Sequence, residues 1–183
     1  MLALALLESV RALDAHVPDE LDEVHQELAV KRLGRSSTVA AQIARLERQV
    51  QKGDRAPASE LEALVRLVAR RHDAGLVFTD GGRRLGRLLI ARLPLPVAVA
   101  RLAGRLVARR AVRAVGMVLT TQPRLVATVA DDLLVRATPE GAACAFYGAA
   151  VAEVLRRLTT FDGAMIHVAC RTQGDATCRW EAI

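Results

Sequence analysis

Apolar residues recur at helical spacing through the first half of the chain and change to alternation past its middle. Residues 3 to 14 carry a short amphipathic helix pattern. Val17-Pro18 interrupts it, and Pro18 followed by Asp19 and Glu20 marks a new helix start. That helix is expected to run to about Leu33. Gly34 closes it, and Ser36 or Ser37 caps the next, AAQIARLERQV. Gln51 to Pro57 reads as a loop. Ser59 is the expected cap of ELEALVRLVARRH, whose apolar stripe is Leu61, Leu64, Leu67 and Val68. Residues 1–72 are therefore expected to form an all-helical segment.

A second unit, residues 73–183, is expected from Asp73 onward. Val77-Phe78-Thr79-Asp80 leads into a helix through RRLGRLLIARL, and Pro94 and Pro96 break it. A further helix runs to about Val115. Gly82, Gly86 and Gly104 weaken these helices and make sense where helices pack closely. At Gly116 the period changes from 3.6 to two. MVLTT, LVATVA and LLVRAT read as strands, ended by Pro139-Glu140-Gly141. ACAFYGAAVAEVLRRL is a helix of unusually small residues, and AMIHVAC with RWEAI closes the sheet as a hairpin. Helices, strands, helix and hairpin in that order predict an α+β fold. Its helices pack on one face of a small antiparallel sheet, with the all-helical segment at the N-terminus.

Composition sharpens this picture. Apolar residues make up 52% of the 183, so a sizeable core is available, but there are only three Phe, one Tyr and one Trp. The core is therefore built from Leu, Val and Ala, and each aromatic stands out. Of these, Phe146, Tyr147, Phe161 and Trp180 fall close together in sequence. They are either the few bulky residues that the core needs or the lining of an apolar pocket. The net charge of +6 is almost wholly arginine, the only lysines being Lys31 and Lys52. Arginines scattered along a chain are a weak footprint for nucleic acid. The apolar run Met1–Leu7 is too short to span a bilayer and has no basic flank, so a cytoplasmic protein without a membrane partner is expected.

The chemistry gathers at the C-terminal end. All three cysteines lie between residues 144 and 178, and His167 stands three before Cys170. Cys170 and Cys178 are equidistant from Gly174, which begins a Gly-Asp turn signal. A turn there places the two thiols opposite each other, with Trp180 on the face of Cys178. Cys144 opens the small-residue helix. Cys144, His167, Cys170 and Cys178 have the ligand types of a structural zinc site. Regular alternation puts His167 and Cys170 on opposite faces, so they share an ion only across a bulge or strand end. Two other readings stand beside the metal: buried thiols acting as small apolar residues, and a Cys170–Cys178 disulfide.

The string H-x-x-C-x-x-x-G-D-x-x-C-x-W resembles the end of the 4-vinyl reductase domain family. It is also similar to sensing domains of aromatic-responsive bacterial regulators and to Golgi transport tethering subunits. The resemblance covers about a fifth of the chain. It implies that Cys144, Cys170 and Cys178 are metal ligands and that His167 replaces the usual carboxylate ligand. Gly148, Gly174 and Asp175 match its helix glycine and its turn. Ala152 stands where a second small residue is expected. The resemblance further implies an α+β domain, a homodimer and a small hydrophobic molecule held between helices and sheet.

Four protein ligands leave no open position for water, so the zinc would be structural and the protein not an enzyme. No HExxH, Ser-His-Asp or paired-carboxylate pattern is present, and Gly81-Gly82 with Gly86 lacks the spacing of a dinucleotide fingerprint. The leading expectation is a non-catalytic, zinc-stabilised ligand-binding or sensory domain. A dimeric scaffold without ligand is the first alternative. A DNA-binding regulator using Gly34–Val50, with Gln42, Arg45 and Arg48 outward, is the second. An accessory role in tetrapyrrole chemistry follows from the family's name alone.

Overall fold

The computed structural model describes residues 1–14, 39–54, 56–94, 96–121, 124–129, 133–138 and 141–183. Helix α1 is Leu2–Asp14, α2 covers 39–52, α3 is Ala58–Ala69 and α4 is Ala74–Ala91. A short α5, Val97–Ala100, passes through the 3-10 turn Arg101–Ala103 into α6, Gly104–Arg113. Strands β1 (Val118–Thr120) and β2 (Val126–Val129) follow, then α7 (Leu133–Ala137) and α8 (Cys144–Leu158). The hairpin of β3 (Met165–Ala169) and β4 (Cys178–Ala182) ends the chain. The helix expected from Pro18 to Leu33 and the Gly34–Ser37 turn of the DNA-binding reading lie outside the described residues.

The four strands form one antiparallel sheet in the order β1-β2-β4-β3. Period-two alternation sorts it into two faces. Leu119, Ala127 and Trp180 stand in one row across the sheet and are buried, whereas Val118 and Arg179 of the opposite face are exposed. The fold is α+β, with helices packed on one face of a small open antiparallel sheet. Ala5 and Leu6 of α1 and Val65 and Val68 of α3 share the core of Phe78, Leu85, Val154 and Leu155.

Helix α8 is the centre of that core, and α4 lies along it. The small side chains expected to allow close packing do so. A Cβ at Gly82 would enter the backbone carbonyl of Phe146, and one at Gly86 would meet Glu153 Cβ at 2.8 Å and Ala150 O at 2.9 Å. A Cβ at Gly104 would enter the carbonyl of Leu158, bringing α6 equally close to the end of α8.

Four local expectations are corrected. LLVRAT is the helix α7, not a strand: Leu134 and Val135 are buried, and the segment packs against α3. Pro57, with φ −55° and ψ 141°, takes the N-cap position of α3, so Ser59 lies in its first turn. The second helix expected after Pro96 is broken by the 3-10 turn, where Ala103 leaves helical geometry at φ −115° and ψ 34°. The expected loop begins at Gly53, two residues later than Gln51, because its φ of 81° ends α2.

Candidate metal centre

Three elements deliver the four predicted ligands. Cys144 is the first residue of α8, His167 lies in β3, Cys170 follows the end of β3, and Cys178 opens β4. Their ligand atoms all lie within 4.8 Å of one another. The Cys144 Sγ is 3.8 Å from Cys170 Sγ and 3.7 Å from Cys178 Sγ. Tetrahedral coordination with metal–sulfur bonds of about 2.3 Å requires sulfur–sulfur edges of about 3.8 Å. The two distances meet that requirement. A disulfide needs sulfurs about 2.05 Å apart, and all three cysteines are free.

The difficulty with His167 is resolved by a bulge. His167 pairs with Trp180, but Ala169 pairs with Arg179, so β3 advances two residues while β4 advances one. Val168 is the extra residue, and the shift returns Cys170 to the face of His167. The imidazole stacks on Trp180, with ring centroids 5.0 Å apart and planes at 26°. Burial lowers the pKa of His167, partly offset by its hydrogen bond with the Ala169 backbone and by the charge of Asp175. The ring is therefore neutral and able to ligate at neutral pH. The cysteines are buried, while His167 lies at the exposed corner of the site.

The loop between the strands is built around the sulfurs. Residues Arg171–Gln173 make a 3-10 turn, and Gly174 follows in the left-handed region at φ 102°. The Asp175 carboxylate accepts a hydrogen bond from the Cys170 N–H at 2.7 Å, and the Cys170 carbonyl accepts one from the Asp175 N–H at 3.2 Å. The Arg171 N–H donates to Cys178 Sγ at 3.4 Å, and Thr172 Oγ1 lies 3.0 Å from Cys170 Sγ. An amide donor aimed at a sulfur favours its thiolate form.

Two contributors escape the ligand motif. Thr172 is one. The other is Gly141, which precedes α8 at φ 72°; a Cβ there would sit 2.7 Å from Cys170 Sγ and 3.3 Å from Cys144 Sγ. In sequence Gly141 is only the end of a Pro-Glu-Gly turn, and no local signal relates it to sulfurs 3 and 29 positions away.

The electrostatics explain what a cation would do here. Burial, with Cys178 and Cys170 alongside, raises the Cys144 thiol far above its ordinary pKa. Burial also raises Cys178. For Cys170 burial acts upward too, but hydrogen bonds from the Thr172 hydroxyl and backbone bring it below the ordinary value. Three thiolates this close repel one another unless a positive ion lies among them, and a bound cation reverses the preference. Cys144 also sits at the positive end of the α8 dipole. The arrangement is a Cys3His cluster able to coordinate a metal ion.

Of the four aromatic residues considered as a pocket lining, Trp180 touches this centre by its stacking on His167, and Phe161 lies beyond the opposite end of α8 from Cys144. Phe146 and Tyr147 meet edge-to-face at 5.7 Å, Tyr147 lies 6.1 Å from Trp180, and all three are buried. Phe161 is partly buried against the same core. Gly148 admits Trp180, whose Cδ1 and Nε1 would be 3.0 Å from a Cβ there. A cleft lined by Arg101, Arg105 and Thr159 and another lined by Glu62, Arg66 and Leu133 involve none of these four aromatic residues. In the N-terminal region, Gln42, Arg45 and Arg48 are exposed on α2; Arg45 pairs with Glu60, and Arg48 Nε bonds the Ala44 carbonyl. Among the described residues no helix is long and apolar enough to cross a membrane.

No family model, curated protein or solved structure matches the chain.

Proposed function

We propose that this is a non-catalytic binding domain whose fold is closed by one structural zinc ion held by Cys144, His167, Cys170 and Cys178. The carrying observation is the pair of sulfur–sulfur distances, 3.7 and 3.8 Å, joining the start of α8 to both strands of the hairpin. Three thiolates and one imidazole suit zinc among the common divalent ions. They also fill a tetrahedral shell, which leaves no position for a reacting water. The same motif and the α+β arrangement support the proposed likeness to the 4-vinyl reductase domain family. With it comes the reading of a homodimeric, regulatory protein.

Elemental analysis of protein purified without chelator tests the metal. The expected result is one zinc per chain; stoichiometric absence overturns the reading. Metal binding energy on the order of 10 kcal/mol is comparable with the whole stability of a domain of this size. Cys178→Ser should accordingly lose the ion and unfold the C-terminal half.

A second reading, that the domain senses a small hydrophobic molecule, is favoured by the stacking of Trp180 on His167. Phe146, Tyr147, Phe161 and Trp180 are its proposed contacts. A ligand that moved Trp180 would be felt at a metal ligand. Native mass spectrometry gives subunit number, metal and retained compounds together. A persistently dry dimer favours a scaffold over a sensor.

A further inference from the structure

Between Asp80 and Asp131 the chain has ten arginines and no acidic residue or lysine. The first four belong to α4 and its end, and Arg84 and Arg87 there pair with Asp80 and Glu153. The next five, Arg101, Arg105, Arg109, Arg110 and Arg113, are all exposed. Among the described residues none of these five has an acidic partner.

The stretch from Arg101 to Arg113 also exposes its two leucines, Leu102 and Leu106. Gly104, Ala108, Ala111 and Val112 form the buried stripe of α6. At 100° per residue Leu106 points away from that stripe, with Arg109, Arg110 and Arg113 around it. It is 67% exposed, and Leu102, at the corner where the 3-10 turn meets α6, is 88% exposed. Val99 is exposed as well. A solvated helix face places polar residues there. Beside it, Arg101, Arg105, Thr159 and Thr160 line a cleft of about 280 Å³. Arg101 Nε donates to the Arg157 carbonyl at 2.8 Å, which fixes that guanidinium at the cleft. The Thr159 hydroxyl is engaged with the Leu155 carbonyl and the Phe161 N–H.

We propose that the exposed face from Val97 to Arg113 docks on an anionic phospholipid bilayer. Leu102 and Leu106 enter the boundary between headgroups and acyl chains. Arg105, Arg109, Arg110 and Arg113 meet the lipid phosphates, and the cleft of Arg101 and Arg105 seats one headgroup. Charge complementarity selects an anionic partner. Protruding leucines at the centre of the contact select a bilayer over nucleic acid, since a phosphate-lined groove offers them no apolar burial.

Co-sedimentation of the whole protein with vesicles tests this. Binding is expected to phosphatidylcholine vesicles containing phosphatidylglycerol and not to phosphatidylcholine alone, and it should weaken as salt screens the arginines. Leu102→Asp/Leu106→Asp and Arg105→Glu/Arg109→Glu should each reduce binding about tenfold or more. All four side chains are exposed, so both variants should keep the parent's thermal midpoint and metal content. No binding to anionic vesicles at low salt overturns the proposal, as does unchanged binding by either folded variant. Displacement by inorganic phosphate at matched ionic strength would reassign the cleft to a soluble anion. Duplex DNA binding that survives the leucine substitutions, with no vesicle binding, would reassign the face to nucleic acid.

Discussion

Replacing Gly141 with alanine separates the cost of a strained backbone from the cost of disturbing the sulfur centre. Gly141, Gly116 and Gly174 all have positive φ, at 72°, 81° and 102°. A side chain at Gly116 or Gly174 would meet nothing within 4 Å, so only the backbone term applies there. For alanine in the left-handed region that term is roughly 1–2 kcal/mol. At Gly141 the added methyl would also lie 2.7 Å from Cys170 Sγ. Carbon and larger atoms settle about 3.5–4.0 Å apart, so the thiol or the loop must yield by roughly 1 Å. Overpacking of that kind costs about 1–3 kcal/mol. Gly141→Ala should therefore lose about 2–5 kcal/mol, or about 5–15 °C of thermal midpoint for a chain of this length. Gly116→Ala should lose about half as much or less. Zinc competition against a chromophoric chelator supplies the second readout. Affinity should fall about tenfold or more in Gly141→Ala and stay unchanged in Gly116→Ala. Equal losses in the two variants, with equal zinc affinity, would refute the placement of Gly141 against the sulfurs.

Other substitutions test neighbouring parts of the argument. His167→Ala should weaken zinc binding and open a coordination position, while His167→Asp, which restores the carboxylate that the resemblance implies, should hold zinc better than the alanine variant in the same competition assay. Glu153 is driven upward by burial, but Arg157 at 2.7 Å and Arg87 at 3.2 Å bring its pKa below the ordinary carboxylate value. Its folded pKa is thus depressed, so its contribution is full above the unfolded value near 4.3 and is lost as pH falls through the folded one. Glu153→Gln should be less stable by about 1 kcal/mol at pH 7 and should converge with the parent in acid, as measured by urea unfolding at several pH values. Gly82→Ala should cost several kcal/mol by forcing α4 off α8, whereas Gly75→Ala on the exposed side of the same helix, with nothing within 4 Å, should gain up to about 1 kcal/mol. Equal thermal midpoints for those two would sink the close-packing account.

The hairpin and α8 were legible because their signals are local. Cysteine spacing, the Gly-Asp turn and a run of alanines each carry their meaning within a few residues. The four-ligand set follows once His167 is allowed a bulge. Alternation alone argued against that ligand, since the extra residue at Val168 has no composition signal. LLVRAT misled because its Leu and Val residues suit a strand as well as a buried helical turn, and only packing against α3 decides. The 3-10 break at Arg101–Ala103 was not legible in the run AVARLAGRL, because Ala, Leu and Arg suit a continuous helix equally well. The aromatic residues were close in sequence, but whether they line a space or fill it depends on neighbours that α4 and the sheet supply.

The extra residue in β3 acts as a change of phase in an otherwise two-beat strand. Everything before it keeps one parity and everything after it the other, so His167 and Cys170 share a side although an odd number of steps separates them. A shortened chain lacking Val168 would remove the dislocation and turn the three-step spacing into a two-step one. Imidazole and thiol would still face the same way, and the metal should survive the deletion. The ligand spacing and the irregular ladder are thus two descriptions of one inserted amino acid.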